Sequence, residues 1–210
     1  MLIGLTGGYC AGKNAAAGVL ERRGFLCLDL DRLGHEALAT ERAKAAVEAR
    51  FGAAALDAGG KVDRRALGAL VFGDAAGLAD LEAIVHPLVY EILEGRLEPA
   101  LAARRDVCLN AALLYRMPEA ARCGAILEVR APLLLRLRRA KARDGLGARR
   151  ALQRIWSQRS FWKRRRAAGA PVLFIANKAG LGELEAAVDA ALAELGRRKA
   201  YIRPRRLPIR

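Results

Sequence analysis

The sequence predicts an α/β fold of three layers, in which helices cover a central five-stranded parallel sheet. Two observations support this prediction. Short apolar runs alternate with longer segments of helical periodicity, which is typical of parallel strands joined by helical crossovers. A chain of 210 residues can bury one sizeable α/β core with insertions, but hardly two large independent domains. The predicted strands are residues 2–6, 25–28, 107–109, 125–129 and 172–175.

A glycine-rich segment, GGYCAGKN, follows the first predicted strand and precedes a helix-like run. The spacing G-x-x-x-x-G-K between a strand and a helix is that of a phosphate-binding loop, whose N–H groups surround phosphate oxygens. The sequence therefore predicts a P-loop NTPase-like fold rather than an ordinary glycine turn with an exposed lysine. We expect Lys13 to reach the β- and γ-phosphates. The predicted ATP-binding residues of this loop are Gly8, Tyr9, Cys10, Ala11, Gly12, Lys13, Asn14 and Ala15.

Composition restricts the class of partner. Lys and Arg outnumber Asp and Glu by 37 to 22, a net charge of +15, which favours an anionic partner: a nucleotide, a phosphorylated cofactor, nucleic acid or a membrane surface. Four widely spaced cysteines without a C-x-x-C pair are predicted to be reduced, buried thiols. Because the sequence shows neither a basic leader followed by an apolar core nor a run of about eighteen apolar residues, we expect a soluble cytoplasmic protein.

The interval between the second and third predicted strands is helical in pattern, with Asp63 and Asp74 as candidate N-caps. Residues 32–105 are therefore predicted to form a helical substrate-binding insertion. The nucleotide-binding core is then predicted to comprise residues 1–31, 106–131 and 168–196.

Residues 132–167 crowd arginines and lysines among leucines and two tryptophans, and two basic helices joined through residues 144–147 fit this pattern. Such an element can act as a lid that closes over a triphosphate. The alternative is a solvated basic face anchored by Trp156 and Trp162, and we favour it for most of these arginines. Residues 197–210 are predicted to be a flexible basic tail, and a solvated appendage is favoured over contact with nucleic acid.

Several motifs occur together in a characteristic order, and the sequence resembles dephospho-CoA kinase over nearly its whole length apart from the tail. The most specific are the Asp-x-Asp after the second strand, the His-Pro of the insertion and the Arg-Asp-Gly of the lid. The resemblance implies transfer of the γ-phosphate of ATP to the ribose 3′-hydroxyl of dephospho-CoA, with Mg²⁺. The matching segments are IGLTGGYCAGK, LDLDRLGHEAL, VDRRALGALVF, LEAIVHPLV, ARDGLGARRALQRIWSQ and the strand ending in Ile175-Ala176-Asn177.

The resemblance also implies roles for individual residues. Asp31 would be the general base, Lys13 and Arg143 would act on the donor phosphates, and Asn177 would contact the adenine edge. His86 would contact the acceptor, and Asp31 and Asn110 would belong to the same substrate-binding set. From sequence alone, competing interpretations stay open: Asp31 as a helix N-cap, His86 as a capping or packing residue at a helix boundary, and Asn177 as a turn former.

Three positions depart from the family pattern near the expected metal. Asn14 replaces the hydroxyl residue that ligates Mg²⁺, Asn110 replaces an aspartate after the third strand, and Pro171 replaces an acid before the last strand. Amide oxygens and water can still hold Mg²⁺, so Asn14 is the candidate metal ligand, directly or through water. An active kinase is the main hypothesis, with ATP and dephospho-CoA as partners and a monomer favoured; neither a membrane nor nucleic acid is expected as a partner.

The sequence leaves three alternatives open. One is a degenerate P-loop protein that binds ATP or CoA without transferring phosphate. Another is a kinase for a different small nucleotide-like acceptor, because the loop itself does not distinguish acceptors. The third is an NTPase associated with nucleic acid, which the basic charge and the basic tail suggest.

Overall fold

The computed structural model describes residues 1–158, 162, 165 and 169–197. The remaining part of the predicted lid and residues 198–210 of the predicted tail lie outside the described residues. The chain forms two compact units, one comprising Met1–Leu28 with Ala100–Arg210 and the other Asp29–Pro99. In the part of the chain that is described, no helix is long and apolar enough to cross a membrane.

The first unit is built on a five-stranded sheet with the order β2-β3-β1-β4-β5. Strand β1 lies at its centre and pairs in parallel with β3 and β4, so its carboxyl end opens at the middle of the sheet edge, where ligands bind in parallel α/β folds. The predicted five-stranded sheet is confirmed, with strand ends shifted by one residue or so. The strands are β1 Leu2–Gly7, β2 Leu26–Asp29, β3 Val107–Asn110, β4 Ala125–Arg130 and β5 Val172–Ala176.

α-Helices connect β1 to β2, β2 to β3 and β4 to β5, whereas β3 and β4 are joined by two short 3-10 turns. The helices are α1 Lys13–Arg22, α2 Leu30–Leu38, α3 Glu41–Phe51, α4 Arg64–Val71, α5 Ala75–Ala102, α6 Leu133–Asp144, α7 Ala148–Ser157 and α8 Leu181–Arg197, with short 3-10 turns at Ala53–Ala55, Leu114–Arg116 and Pro118–Arg122.

The core of the first unit lies between the sheet and helices α1 and α8. Ile3 and Leu5 of β1 pack in one cluster with Leu20 of α1 and Val188 of α8, and all four are fully buried. Each such side chain contributes about 1.5–3 kcal/mol by leaving water. A Cβ on Gly4 would lie 2.5 Å from Leu114 Cδ2, so a side chain at this strand position would displace Leu114.

The second unit is helical, with a small core around Val47, Ala55 and Leu67. The carboxylate of Asp63 accepts from the N–H groups of the first turn of α4, and that of Asp74 accepts from the Ala76 N–H at 3.0 Å. Both predicted N-caps are therefore confirmed.

Two smaller expectations need correction. The four cysteines are free, as predicted, but Cys10 and Cys27 are only partly buried, because one lies in the phosphate loop and the other on the edge strand β2. Trp156 is 59% exposed, so it is not a packing anchor. Trp162 does pack, edge-on against Tyr115 with ring centroids 6.0 Å apart.

Candidate active site

The phosphate loop joins β1 to α1 in a tight turn. The Ala11 N–H donates to Gly8 O at 2.8 Å, and Gly12 caps α1 with φ +101°. Cys10 also has a positive φ, +58°. A Cβ on Gly12 would lie 2.1 Å from Asn177 Nδ2, so glycine is required here both by backbone conformation and by space.

Lys13 is oriented by the neighbouring strand. Its Nζ donates to Asn110 Oδ1 at 2.7 Å, and Asn110, the last residue of β3, is 2% exposed. The register that pairs Asn110 with Leu5 brings the two strand ends together. Because an amide carries no net charge, this bond fixes the ammonium group without neutralising it, as a carboxylate would.

One face of α6 presents arginines to the loop. Arg136, Arg139 and Arg143 are three and four residues apart, which places them on the same side of a helix. Arg136 Nε donates to Tyr9 O at 2.7 Å, and Arg139 Nη1 donates to Ala11 O at 3.2 Å. The Arg143 guanidinium lies 5.2 Å from the Tyr9 ring centroid. The sequence interpretation singled out only Arg143; the spacing was the signal that could have identified the other two.

Asn177 directly follows β5 and is 3% exposed. Its Nδ2 donates to Ala11 O at 2.9 Å, and its Oδ1 accepts from Arg139 Nη2 at 3.0 Å. Its backbone N–H donates to Arg130 O at 2.8 Å. Both ends of the side-chain amide therefore contact the loop or the helix that supports it.

Residues around α7 also contact the loop. The Tyr9 N–H donates to Gln158 Oε1 at 2.7 Å, just beyond the end of α7, and the Tyr9 hydroxyl donates to the Asp144 carboxylate. Helices α6 and α7 meet through Gly145, which has φ +64°, so the predicted pair of basic helices joined at residues 144–147 is confirmed. Gln158 and Asp144 were not expected to contact the loop.

A cavity of about 360 Å³ opens beside the loop. Gly8 and Ala11 line it together with Arg136, Trp162 and Arg165. Three arginines and one carboxylate, Glu128, line this cavity, so its wall carries a net positive charge, which suits an anionic group.

Comparison with known proteins identifies the family. The family model described as dephospho-CoA kinase matches residues 1–182. A dephospho-CoA kinase of Thermus thermophilus is 38% identical over 198 residues, 93% of this chain and 92% of that protein. One of Latilactobacillus sakei is 35% identical over 192 residues, 90% of this chain and 93% of that protein.

The chain belongs to the dephospho-CoA kinase family. A crystal structure of a Thermus thermophilus protein superposes with a TM-score of 0.77 at 37% identity, covering 93% of this chain and 97% of that one. The dephospho-CoA kinase of Campylobacter jejuni has a TM-score of 0.69 at 19% identity, covering 94% and 98%, and supports the fold alone. The resemblance inferred from the motifs is therefore confirmed.

The Asp-x-Asp motif of this family lies where β2 passes into α2. The Asp29 carboxylate accepts from the N–H groups of Asp31 at 3.0 Å and Arg32 at 3.2 Å, so the N-cap of α2 is Asp29. The interpretation of Asp31 as the cap is wrong, because Asp31 is the second residue of α2, two positions after the N-cap. Asp31 is exposed, in the first turn of α2.

His86 lies within the second unit, in the middle of α5 rather than at a helix boundary as expected, because α5 continues through Pro87. It lines a mostly apolar cavity of about 330 Å³, together with His35, Leu38 and Leu81. The expected contact of His86 with the acceptor stays a prediction, and the cavity shows only that its side chain borders open space.

The ion pair between Arg143 and Asp144 should make the stability of the protein depend on pH. The side chain of Arg143 donates twice to the Asp144 carboxylate, both at 2.9 Å, and this contact first, then the Tyr9 hydroxyl, lowers the pKa of Asp144 from 3.8 to about 2. The folded pKa is thus below the unfolded one, so the stabilisation is present above about pH 4 and is lost as the pH falls towards about 2. Urea unfolding of wild type and Asp144→Asn should differ by a constant amount at neutral pH and converge below about pH 4. A difference that grows in acid would contradict this sign.

The wall of the cavity beside the phosphate loop includes a buried carboxylate, Glu128, which is 3% exposed. It accepts from Arg165 at 2.7 and 2.8 Å, from Arg130 at 2.8 Å and from the Tyr115 hydroxyl at 3.0 Å. Burial first, and then this carboxylate, raise the pKa of Tyr115. Four hydrogen-bond donor groups, from Arg165, Arg130 and Tyr115, therefore share the Glu128 carboxylate as their acceptor.

We expect Glu128→Gln to lower the free energy of unfolding by about 2–3 kcal/mol, because it removes the charge that two guanidinium groups share. Arg130→Gln is the matched control: Arg130 is 51% exposed, so its loss should cost less than about 1 kcal/mol. Equilibrium urea denaturation measures both. Equal losses in the two variants would show that the cluster does not depend on the buried carboxylate.

Proposed function

We propose that this chain is an ATP-dependent dephospho-CoA kinase that transfers the γ-phosphate of ATP to the ribose 3′-hydroxyl of dephospho-CoA. The products are CoA and ADP, and the reaction is the last step of coenzyme A biosynthesis. The observation that carries the proposal is the family match over residues 1–182, which includes the phosphate loop, Asp31 and Arg143.

The donor end of the proposed reaction is supported by the geometry around the loop. In this proposal the triphosphate lies against the loop N–H groups, and Lys13 contacts its β- and γ-phosphates. Arg143, 62% exposed at the end of α6, supplies further positive charge to the transferred group. Phosphoryl transfer depends chiefly on such positioning and charge neutralisation, since the protein performs little covalent chemistry.

The residues present fit a Mg²⁺ ion that retains much of its water. Asn14 is exposed in the first turn of α1 and offers a hard amide oxygen, whereas the Asn110 oxygen already accepts from Lys13. Mg²⁺ bound beside phosphates usually has only one or two protein ligands and keeps several waters. We assign Asn14 as the residue that would hold the ion. When bound, the ion would neutralise part of the phosphate charge.

The acceptor end is assigned to the second unit. Asp31 would accept the proton of the 3′-hydroxyl. At the same time the hydroxyl oxygen bonds to the γ-phosphorus, and the bond between the γ-phosphorus and the bridging β–γ oxygen breaks. His86 and its cavity would contact the acceptor, and Asn110 would act indirectly by orienting Lys13. In the same proposal, ATP contacts the phosphate loop at Gly8, Tyr9, Cys10, Ala11, Gly12 and Ala15.

A coupled assay tests the function. Purified protein with ATP, Mg²⁺ and dephospho-CoA should yield ADP and CoA in equal amounts, resolved by chromatography, and a panel of nucleosides and nucleotides should be poorer acceptors. Calorimetry on the same sample measures ATP binding. Binding of ATP without product in either Mg²⁺ or Mn²⁺ would overturn the proposal.

A further inference from the structure

Two carbonyl groups of the phosphate loop are held by side chains from outside it. Tyr9 O accepts from Arg136 Nε at 2.7 Å. Ala11 O accepts from Asn177 Nδ2 at 2.9 Å and from Arg139 Nη1 at 3.2 Å. The Asn177 side chain and the Arg139 guanidinium are themselves joined at 3.0 Å, so the donors on Ala11 O brace each other.

A peptide group is planar and trans, so its C=O and the following N–H point in opposite directions. Holding Tyr9 O therefore fixes the direction of the Cys10 N–H, and holding Ala11 O fixes that of the Gly12 N–H. Within the described residues, neither of these N–H groups donates a hydrogen bond to the protein. Both belong to the segment that a phosphate-binding loop turns towards its anion.

The clamping side chains lie directly against the loop backbone. A Cβ on Gly8 would lie 2.7 Å from Arg136 Nη2, and one on Gly12 would lie 2.1 Å from Asn177 Nδ2. The amide of Asn177 is also 3% exposed. This burial leaves the side chain directed at the loop, whereas a base-reading amide has to present its donor and acceptor to the ligand.

We propose that Arg136, Arg139 and Asn177 are positioning residues that preorganise the Cys10 and Gly12 N–H groups for the donor phosphates, and that Asn177 acts on the triphosphate rather than on the adenine. The inference rests on the proposed function for the identity of the donor. It separates two roles that the position of Asn177 at the end of β5 leaves open.

Ligands with and without a base distinguish the roles. Calorimetry with ATP, GTP and inorganic tripolyphosphate, each with Mg²⁺, should show that Asn177→Ala weakens all three by a similar factor of roughly ten, the loss expected for one hydrogen bond to a buried carbonyl. The ratio of ATP to GTP affinity should stay at its wild-type value. Loss of ATP affinity alone, with tripolyphosphate unaffected, would assign Asn177 to the base and overturn the proposal.

Helix α6 supplies the controls. Arg136→Gln and Arg139→Gln should weaken tripolyphosphate binding, whereas Arg138→Gln, which removes the same charge from an exposed position on the same helix, should have a much smaller effect. Equal effects of all three would show a general charge contribution and no clamp. The KM for ATP should rise in the clamp variants while the KM for dephospho-CoA stays unchanged.

Folding and function are checked separately. Thermal unfolding of each variant shows whether the fold is intact, and Asn177→Ser repeats the measurement should Asn177→Ala fail to fold. Wild-type protein that makes no CoA would count against the proposed function alone, since tripolyphosphate binding needs no turnover. Wild-type turnover with unchanged tripolyphosphate affinity in the clamp variants would count against the clamp alone.

Discussion

Asp31→Asn is expected to lower kcat for CoA formation by about 10²–10⁴-fold, the usual contribution of a general base. The amide keeps the shape of the side chain but cannot accept the proton of the 3′-hydroxyl. ATP affinity should stay close to that of wild type, because the residue acts on the acceptor. Steady-state kinetics with both substrates, together with calorimetry of ATP, measure the two quantities.

The matched control for this prediction is Asp29→Asn, two residues earlier in the same motif. Asp29 caps α2 through its side-chain oxygen, and asparagine is an equally good N-cap, so this variant should fold and keep most of the activity. Equal losses in the two variants would show that activity depends on the negative charge of the whole motif, and would contradict a specific proton-accepting role for Asp31.

Lys13→Met should lower kcat/KM for ATP by about 10²–10³-fold, the effect of removing one preorganised donor from a developing charge. Methionine retains the length and apolar stem of lysine but carries no ammonium group. It also leaves Asn110 Oδ1 without the Lys13 donor at 2.7 Å, so a modest loss of stability should accompany the loss of activity. Steady-state kinetics over a range of ATP concentrations measures the first effect, and thermal unfolding the second.

Lys141→Met, on the exposed side of α6, removes the same charge away from the loop and should leave kcat/KM nearly unchanged. Lys13→Met with near-normal turnover would remove the loop lysine from the mechanism. Comparable losses in both variants would indicate only a long-range effect of net charge on ATP association.

The sheet was predictable because each of its strands is a short apolar run whose neighbours are helical in pattern. The strand at residues 125–129 became β4 Ala125–Arg130 with only its end shifted, since backbone pairing extends one residue past the apolar run. The length of α5 was harder to predict, because Pro87 and Pro99 usually end or kink a helix. Leu93 and Leu97, which lie between the two prolines, are fully buried.

The candidate site also has a part that the sequence predicts and a part that only the structure shows. The loop, Lys13 and the paired basic helices follow from local spacing and were found from sequence. The contacts of Arg136, Arg139 and Gln158 depend on which face of α6 and which end of α7 meet the loop, over sequence separations above one hundred residues, and local patterns carry no such information. Asn177 was located correctly by its place after β5, but the partners of its amide became known only from the structure.

The hydrogen bond between the Tyr9 N–H and Gln158 Oε1 has a consequence for nucleotide exchange. A phosphate oxygen that accepts a hydrogen bond from the Tyr9 N–H would have to displace Gln158 Oε1, which already accepts from it. In the proposed function, Gln158 would re-form its hydrogen bond with the Tyr9 N–H as the phosphate leaves. The end of α7 would then act as an internal competitor that lowers the affinity for nucleotide and shortens its residence on the loop.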